Sequence, residues 1–245
     1  MECTGTLTAD TEKIKTRGLV GLNYSIEKKD NQLILNIRET RQPAEGLVWT
    51  GHENKLWDYQ SDNFKLDDSN TAFVANDQVV FNDDAEQFTV TLTDKMVTKG
   101  VHFTNENKNY SVSGDGGFSG EGDFVKDGKG TVVLSSTNSD YTGTTYINSG
   151  TVEVVNMENA GTPSALGAGK NIQIAKGTLK VNHTNAATDK SITLTDSAGI
   201  YIPNGTLTLQ SALRGANGTL VKKGSGQLNI NYGGTNNWKA TILEA

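Results

Sequence analysis

A five-residue phrase, Gly-Thr-[Leu/Val]-x-[Leu/Val], keeps returning along the chain, and it restricts the fold more than any other feature. It occurs as Gly130–Leu134, Gly150–Val154, Gly177–Val181 and Gly205–Leu209, at steps of 20, 27 and 28 residues, with a weaker echo at Gly218–Val221. Each copy has the two-residue period of a β-strand. The glycine precedes the strand, where a bend at positive φ costs glycine little. Other alternating runs, such as Asn171–Ile174, Ser191–Thr195 and Gly199–Ile202, lie between the copies. Strands of four or five residues separated by Gly, Asn, Asp and Ser turns follow.

A longer similarity runs through the same region. Gly122–Leu134 aligns without a gap on Gly218–Ile230, matching Val125 with Val221, Lys126 with Lys222, Gly128 with Gly224 and Gly130 with Gly226. One residue of adjustment then sets Tyr141 opposite Trp238. Helices are disfavoured, because Thr, Asn and Gly weaken helix interiors. The one candidate helical turn, Gly161–Leu166 with Pro163, is better taken as a loop.

Steps of 20 to 28 residues suit a coil of three short strands and three turns. Stacked coils give an all-β chain, a right-handed parallel β-helix or β-solenoid, with about 4.8 Å between coils. Inward Val, Leu, Ile and Phe form a narrow core, while outward Thr, Asn, Ser and Lys stay hydrated. About eight to ten coils, or roughly 40–50 Å of rod, are expected. A β-sandwich or jelly roll is the alternative, although its strands have no reason to be near-copies.

Composition narrows the function. The chain has 245 residues, 35% of them hydrophobic and 20% charged, with a net charge of −6 and no basic block beyond dipeptides such as Lys28-Lys29 and Lys222-Lys223. Nucleic acid demands a concentrated cationic face, so it is not an expected partner. No apolar run approaches the ~20 residues of a membrane span. Cys3 is the single cysteine, so no internal disulfide forms. Neither end carries a targeting signal, which reads as an excised fragment.

Residues 120–154, GEGDFVKDGKGTVVLSSTNSDYTGTTYINSGTVEV, resemble the passenger-associated transport repeat of autotransporters. The pattern falls on Phe124, Lys126, Gly128, Gly130-Thr131, Asn138, Tyr141-Thr142-Gly143, Thr145 and Gly150-Thr151-Val152. The preceding Trp49-Thr50-Gly51, Trp57, Asn63-Phe64 and Asp77–Phe81 are also similar to such passengers. Residues 215–243 give a looser second round, with Trp238-Lys239-Ala240 in place of Tyr-Thr-Gly. The resemblance implies two parts. Residues 1–45 are the end of a preceding module, closing on the strand Leu33–Ile37, and residues 46–245 are the β-helical passenger segment.

The resemblance also implies an extracellular place on the bacterial surface, anchored in the outer membrane through a barrel elsewhere in the parent protein and exported by type V secretion. Family members of this kind are adhesins or self-associating proteins tied to virulence and biofilm. The expected partners are a host surface receptor or glycan, or the same protein on a neighbouring cell. The alternatives are an inert stalk that promotes secretion and folding, and a polysaccharide-active β-helix enzyme.

Several residue groups invite chemistry and meet a plainer reading. Gly114–Asp123 fails the calcium nonapeptide at Ser119, and a phosphate loop from Gly122 to Gly128-Lys129 has one residue too many and Gly130 where Ser or Thr is needed, leaving a turn between coils. His52, His102 and His183 each lack a second ligand at metal spacing, and His102 is expected to face outward from a strand. Asp67-Asp68 and Asp83-Asp84, with Asp77 and Glu86 nearby, offer carboxylate pairs for acid–base work, but their turn-like setting favours solvated loops. Trp49, Trp57, Tyr59 and Phe64 form an aromatic patch, read as core or cap packing more than as a binding face. No catalytic, cofactor-binding or metal-binding residue is therefore assigned. The expected function is non-enzymatic adhesion or self-association, with no cofactor and with its binding residues unassigned.

Overall fold

The structure, a computed structural model, describes Ile14, residues 24–37 and residues 41–244. Cys3 lies outside the described residues. Tyr24–Lys29 and Gln32–Ile37 form a local antiparallel hairpin, so the expected strand at Leu33–Ile37 exists and pairs with its own neighbour.

From residue 41 onward the chain winds as a β-solenoid of parallel strands with three faces. Face A stacks Leu47–Trp49, Gln78–Phe81, Gly100–Phe103, Asp123–Lys126, Thr145–Ile147, Asn171–Ile174 and Ser191–Leu194, then the start of the long strand Leu213–Lys223. Face B stacks Leu56–Trp57, Thr89–Leu92, Tyr110–Ser113, Thr131–Leu134, Thr151–Val154, Thr178–Val181 and Ser197–Tyr201, then the second half of Leu213–Lys223. The last strand, Asn237–Glu244, lies on both faces of the preceding turn. Face C pairs Lys95–Val97 with Gly117–Ser119 and, further on, Asn185–Thr188 with Thr206–Leu209 and Gln227–Ile230.

Register partners on face A run Leu47, Val79, Val101, Phe124, Thr145, Ile172, Ile192 and Leu213, and the next step joins Arg214 to Asn237. These are eight steps of 32, 22, 23, 21, 27, 20, 21 and 23 residues, so the rod is roughly 40 Å long at the ordinary strand spacing. Alternate residues of each strand point inward and stack on the inward residues of the next turn. Val90, Val112, Leu134, Val154 and Val181 form one such column and are all buried.

The four copies of the recurring phrase do not share one face. Those at Thr131, Thr151 and Thr178 stack directly on face B, so the steps of 20 and 27 are whole turns. The copy at Thr206–Leu209 sits on face C. Thr178 instead pairs with Gly199, and the step of 28 is one turn plus one face. The longer alignment slips in the same way. Gly122–Leu134 spans faces A and B, while Gly218–Ile230 spans faces B and C. Trp238 falls on face A beside Gly215, whereas Tyr141 N donates to Phe118 O of the face C turn below it. The phrase encodes a corner followed by an inward-alternating strand, and any face accepts that unit.

Between the two stretches of face C the ladder continues without regular strands. Asp140 N donates to Phe118 O at 2.8 Å, Ser164 N to Ser139 O at 3.0 Å and Ala168 N to Tyr141 O at 2.9 Å. The loop 155–170, which contains Gly161–Leu166, is irregular as expected and buries Met157, Ala165 and Leu166 in the core. At the N-terminal end the parallel rule is broken. Phe64–Leu66 pairs antiparallel with Leu47–Trp49 and with the short edge strand Ser69–Thr71, whose turn carries Asp67 and Asp68. A very short edge strand beside two turn carboxylates resists further pairing.

Candidate interaction surface

The aromatic patch is a packed pole. Trp49, Trp57 and Phe64 are fully buried and Tyr59 nearly so. Trp57 sits at the centre, with ring centroids of Phe64, Phe73, Phe81 and Phe118 at 5.3–5.5 Å. Edge-to-face and tilted contacts at such separations suit the ring quadrupole. Trp49 Nε1 donates to Gln87 O at 2.8 Å and the Tyr59 hydroxyl to Lys95 O at 3.0 Å, which ties the pole to the next turn. Burial holds the Tyr59 hydroxyl above its ordinary pKa.

The candidate carboxylates divide by role. Asp77 is wholly buried rather than in a solvated loop. It receives both arms of Arg41 at 2.7 Å and the backbone N–H groups of Ala44 and Val74, also at 2.7 Å. This fork clamps the entry segment against the first full turn. Asp83 accepts the backbone N–H groups of Glu106, Asn107 and Lys108 from the turn above. Partial burial opposes its charge, yet these bonds hold its carboxyl below the usual range. Asp67, Asp68, Asp84 and Glu86 remain exposed and rim a groove of about 580 Å³ on the outside of face A, together with His52 and Lys65.

The histidines are dispersed. His102 faces outward on face A, as its alternation implies, and pairs with Asp127 at 2.5 Å. Partial burial works against the Asp127 carboxylate, while Asn148 and His102 keep its pKa low. His52 meets Glu86 at 3.3 Å, and His183 is exposed. The glycine-rich stretch Gly114–Asp123 is more than a turn. It contains the face C strand Gly117–Ser119 and the corners on either side.

Sequence reasoning missed a set of inward lysines. Lys126 and Lys190 are fully buried, where hydrated lysines were expected. Lys126 Nζ donates to Gly128 O at the corner from face A to face B. Lys222 Nζ donates to Gly224 O at 2.8 Å, at the corner from B to C. Lys190 Nζ donates to Gly167 O at 3.0 Å and Gly169 O at 2.5 Å, at the corner from C to A. Each ammonium satisfies carbonyls that a sharp corner turns inward. Gly128 is required at its corner, since a Cβ there would stand 2.1 Å from Asn105 O of the turn below. Burial lowers the pKa of Lys126 and of Lys190 to about 8. The signal was present in the alternation of Phe124-Val125-Lys126, which gives Lys126 the inward parity of Phe124.

The outward surface consists of register columns. On face B, Glu153, Lys180, Tyr201, Lys223 and Glu244 lie one above another. Glu153 meets Lys180 at 2.9 Å, Lys180 lies over the Tyr201 ring at 5.4 Å, and Lys223 meets Glu244 at 3.5 Å. Beside this column run Thr131, Thr151 and Thr178. On face A the central column is Val48, Val80, His102, Val125, Tyr146, Gln173, Thr193 and Arg214. Such faces offer repeated groups at strand spacing.

A family model described as Passenger-associated-transport-repeat matches residues 124–154. Those residues cover two face A strands, two face B strands and the Lys126 corner. The chain is also 35% identical over 88 residues to the "Adhesin BmaC autotransporter" of Brucella suis biovar 1. That stretch is 34% of this chain and 3% of the relative, so the chain spans a small part of the curated protein it matches. No solved structure matches the chain. The repeat match and the similarity to an autotransporter adhesin, on a β-solenoid of stacked parallel strands, together support an autotransporter passenger domain.

Proposed function

We propose that this segment is a surface-exposed, non-enzymatic passenger rod that mediates adhesion or cell–cell self-association. The observation that carries the reading is the repeat match seated within a continuous parallel solenoid, joined to the similarity with a protein named as an adhesin. Surface exposure and anchoring in the outer membrane are supported by the same similarity. The physical basis is distributed contact. Outward columns of Thr, Gln, Tyr and paired charges recur every ~4.8 Å, and many weak contacts along such a face sum to avidity. A non-enzymatic role is supported by the way Asp77 and Asp83 are used up in holding backbone N–H groups. The proposed partners are a host receptor or glycan, or a second copy of the chain on a neighbouring cell.

The test is a bead assay. Beads coated with residues 41–245 are expected to attach to host cells or a glycan array, or to cluster with one another, while beads coated with an unrelated β-solenoid do neither. Coated beads that stay dispersed and unattached would replace this reading with that of an inert stalk.

A further inference from the structure

The last turns of the rod carry cations that their own carboxylates do not neutralise. Residues 170–244 hold eight Lys or Arg against three carboxylates, a net of +5, although the whole chain stands at −6. All three carboxylates are engaged. Asp196 faces Lys176, Glu244 faces Lys223, and Asp189 accepts the backbone N–H of Ala160. Lys180 meets Glu153 of the turn below, and Lys190 and Lys222 point into their corners. Lys170, Arg214 and Lys239 are left. All three are exposed, and among the described residues nothing bonds to their side chains. Among the described residues of the solenoid, the one other exposed cation in that condition is Lys55, near the opposite end.

Register places the three on one surface. Asn171 pairs with Ser191 and Ile192 with Leu213, so Arg214 lies two turns above Lys170 and three residues further along face A. Arg214 pairs with Asn237, which sets Lys239 one turn higher and two residues further. At the ordinary strand rise and spacing the cations form a diagonal stripe with gaps of roughly 14 and 8 Å. Gln173, Thr193 and Asn237 share the outward column of Arg214 and line the stripe with amide and hydroxyl groups.

We propose that this stripe binds a linear sulfated polysaccharide. Sulfate esters recur along such a polymer at sugar spacing, so separated point charges suit it. Arg214 offers a planar fork to one sulfate, and Lys170 and Lys239 offer compact charges to its neighbours. The amide and hydroxyl groups between them can donate to and accept from sugar hydroxyls. Nucleic acid fits less well, because its closely spaced phosphates demand a denser cationic face. Residues 41–98, with eleven carboxylates against four Lys or Arg, repel a polyanion and confine it to the last turns. The proposal rests on the adhesive reading and names the class of glycan it would engage.

Titration of the full chain into a fluorescent heparin-derived octasaccharide tests it. Binding is expected at about 0.15 M salt and should be lost at about 1 M, where screening falls to ~3 Å. A variant carrying Lys170→Gln, Arg214→Gln and Lys239→Gln should bind about tenfold or more weakly, and each single change about two- to fivefold more weakly. A second variant, with Lys65→Gln, Lys99→Gln and Lys129→Gln, removes the same charge from ion pairs of earlier turns and should bind as the wild type does. Every replaced side chain is exposed, so both variants should keep the wild-type far-UV circular dichroism. The desulfated octasaccharide should not bind. No binding at the lower salt, equal losses in the two variants, binding of the desulfated sugar, or tighter binding of single-stranded DNA of similar length would each overturn the proposal. Coated beads that still attach to cells stripped of sulfated glycans would leave the adhesive reading standing.

Discussion

The turns below Phe124 and those from Ile172 to Leu209 solve the same packing problem with different side chains. The lower core is built on rings: Trp49, Trp57, Phe64, Phe73, Phe81, Phe103, Tyr110, Phe118 and Phe124 are all buried. The buried hydrophobic side chains between Ile172 and Leu209 are all aliphatic: Ile, Leu, Val and Ala. In the upper turns each strand rests on a near-copy of itself, so columns such as Ile172 on Ile192 and Ile174 on Leu194 fill the tube. At the lower pole stacking stops. Antiparallel strands replace parallel ones, the facing surfaces are no longer alike, and wide rings fill the space that identical neighbours fill elsewhere. The end of a solenoid is thus a different physical object from its middle.

The sharpest way to break this contrast is to remove the ring at the centre of the pole. Trp57→Ala is expected to cost about 4–5 kcal/mol, at the top of the range for aromatic truncation, because four other rings lose their neighbour. Ile174→Ala in the upper core should cost about 3 kcal/mol. Each turn touches only its neighbours, so losses should be local. Hydrogen exchange is the measurement: Trp57→Ala should deprotect residues 47–81 and leave 171–209 protected, and Ile174→Ala should do the reverse. Uniform loss of protection in either variant would show that the two regions behave as one cooperative unit.

The lysine corners cut across the two regions, and they show how much was legible beforehand. The strand period, the coil length and the outward direction of His102 follow from alternation alone. So does the inward direction of Lys126, yet a charged side chain at an inward position was assigned to water because burial of a charge is ordinarily costly. What the alternation lacks is the corner: carbonyls of Gly128, Gly167 and Gly169 turned inward from different turns. The same gap explains the misplaced fourth copy, since the sequence marks a corner but not which of three corners it is. The groove on face A needed the fold, because Asp67 of the hairpin turn and Glu86 come to line one groove only in the folded chain.

Those lysines give a pH signature that separates the corner from the core. The folded-state pKa of Lys126 and of Lys190 is about 8, below the ordinary 10.5. Below pH 8 both states are protonated and the full cost of the buried charge is present. Between pH 8 and 10.5 the unfolded chain binds more protons, so stability rises with pH. Tyr110 and Tyr141 act in the opposite sense, because burial raises their hydroxyl pKa and stability falls once unfolded tyrosines ionise near pH 10. Thermal unfolding from pH 7.5 to 9.5 should therefore show a rising Tm. Lys126→Met should remove about half of that rise while changing stability at pH 7 by about 1 kcal/mol or less. A rise unchanged in Lys126→Met would assign it to other groups.

The smallest effect is expected on the surface of the upper turns. Glu153 and Lys180 lie one above the other on face B, partly buried, and Glu153 also accepts Asn182 Nδ2 at 2.9 Å. A partly exposed ion pair pays side-chain entropy and is screened, so Glu153→Gln should cost only about 0.5–1 kcal/mol, and less still at high salt. Lys180 keeps its place over the Tyr201 ring, which limits the loss further. Chemical denaturation at low and at high salt measures both numbers. A loss approaching that of Ile174→Ala would mean that the outer columns hold the upper solenoid together as firmly as its aliphatic core, and the contrast between ring-filled pole and self-stacked middle would then have to be drawn on the surface as well.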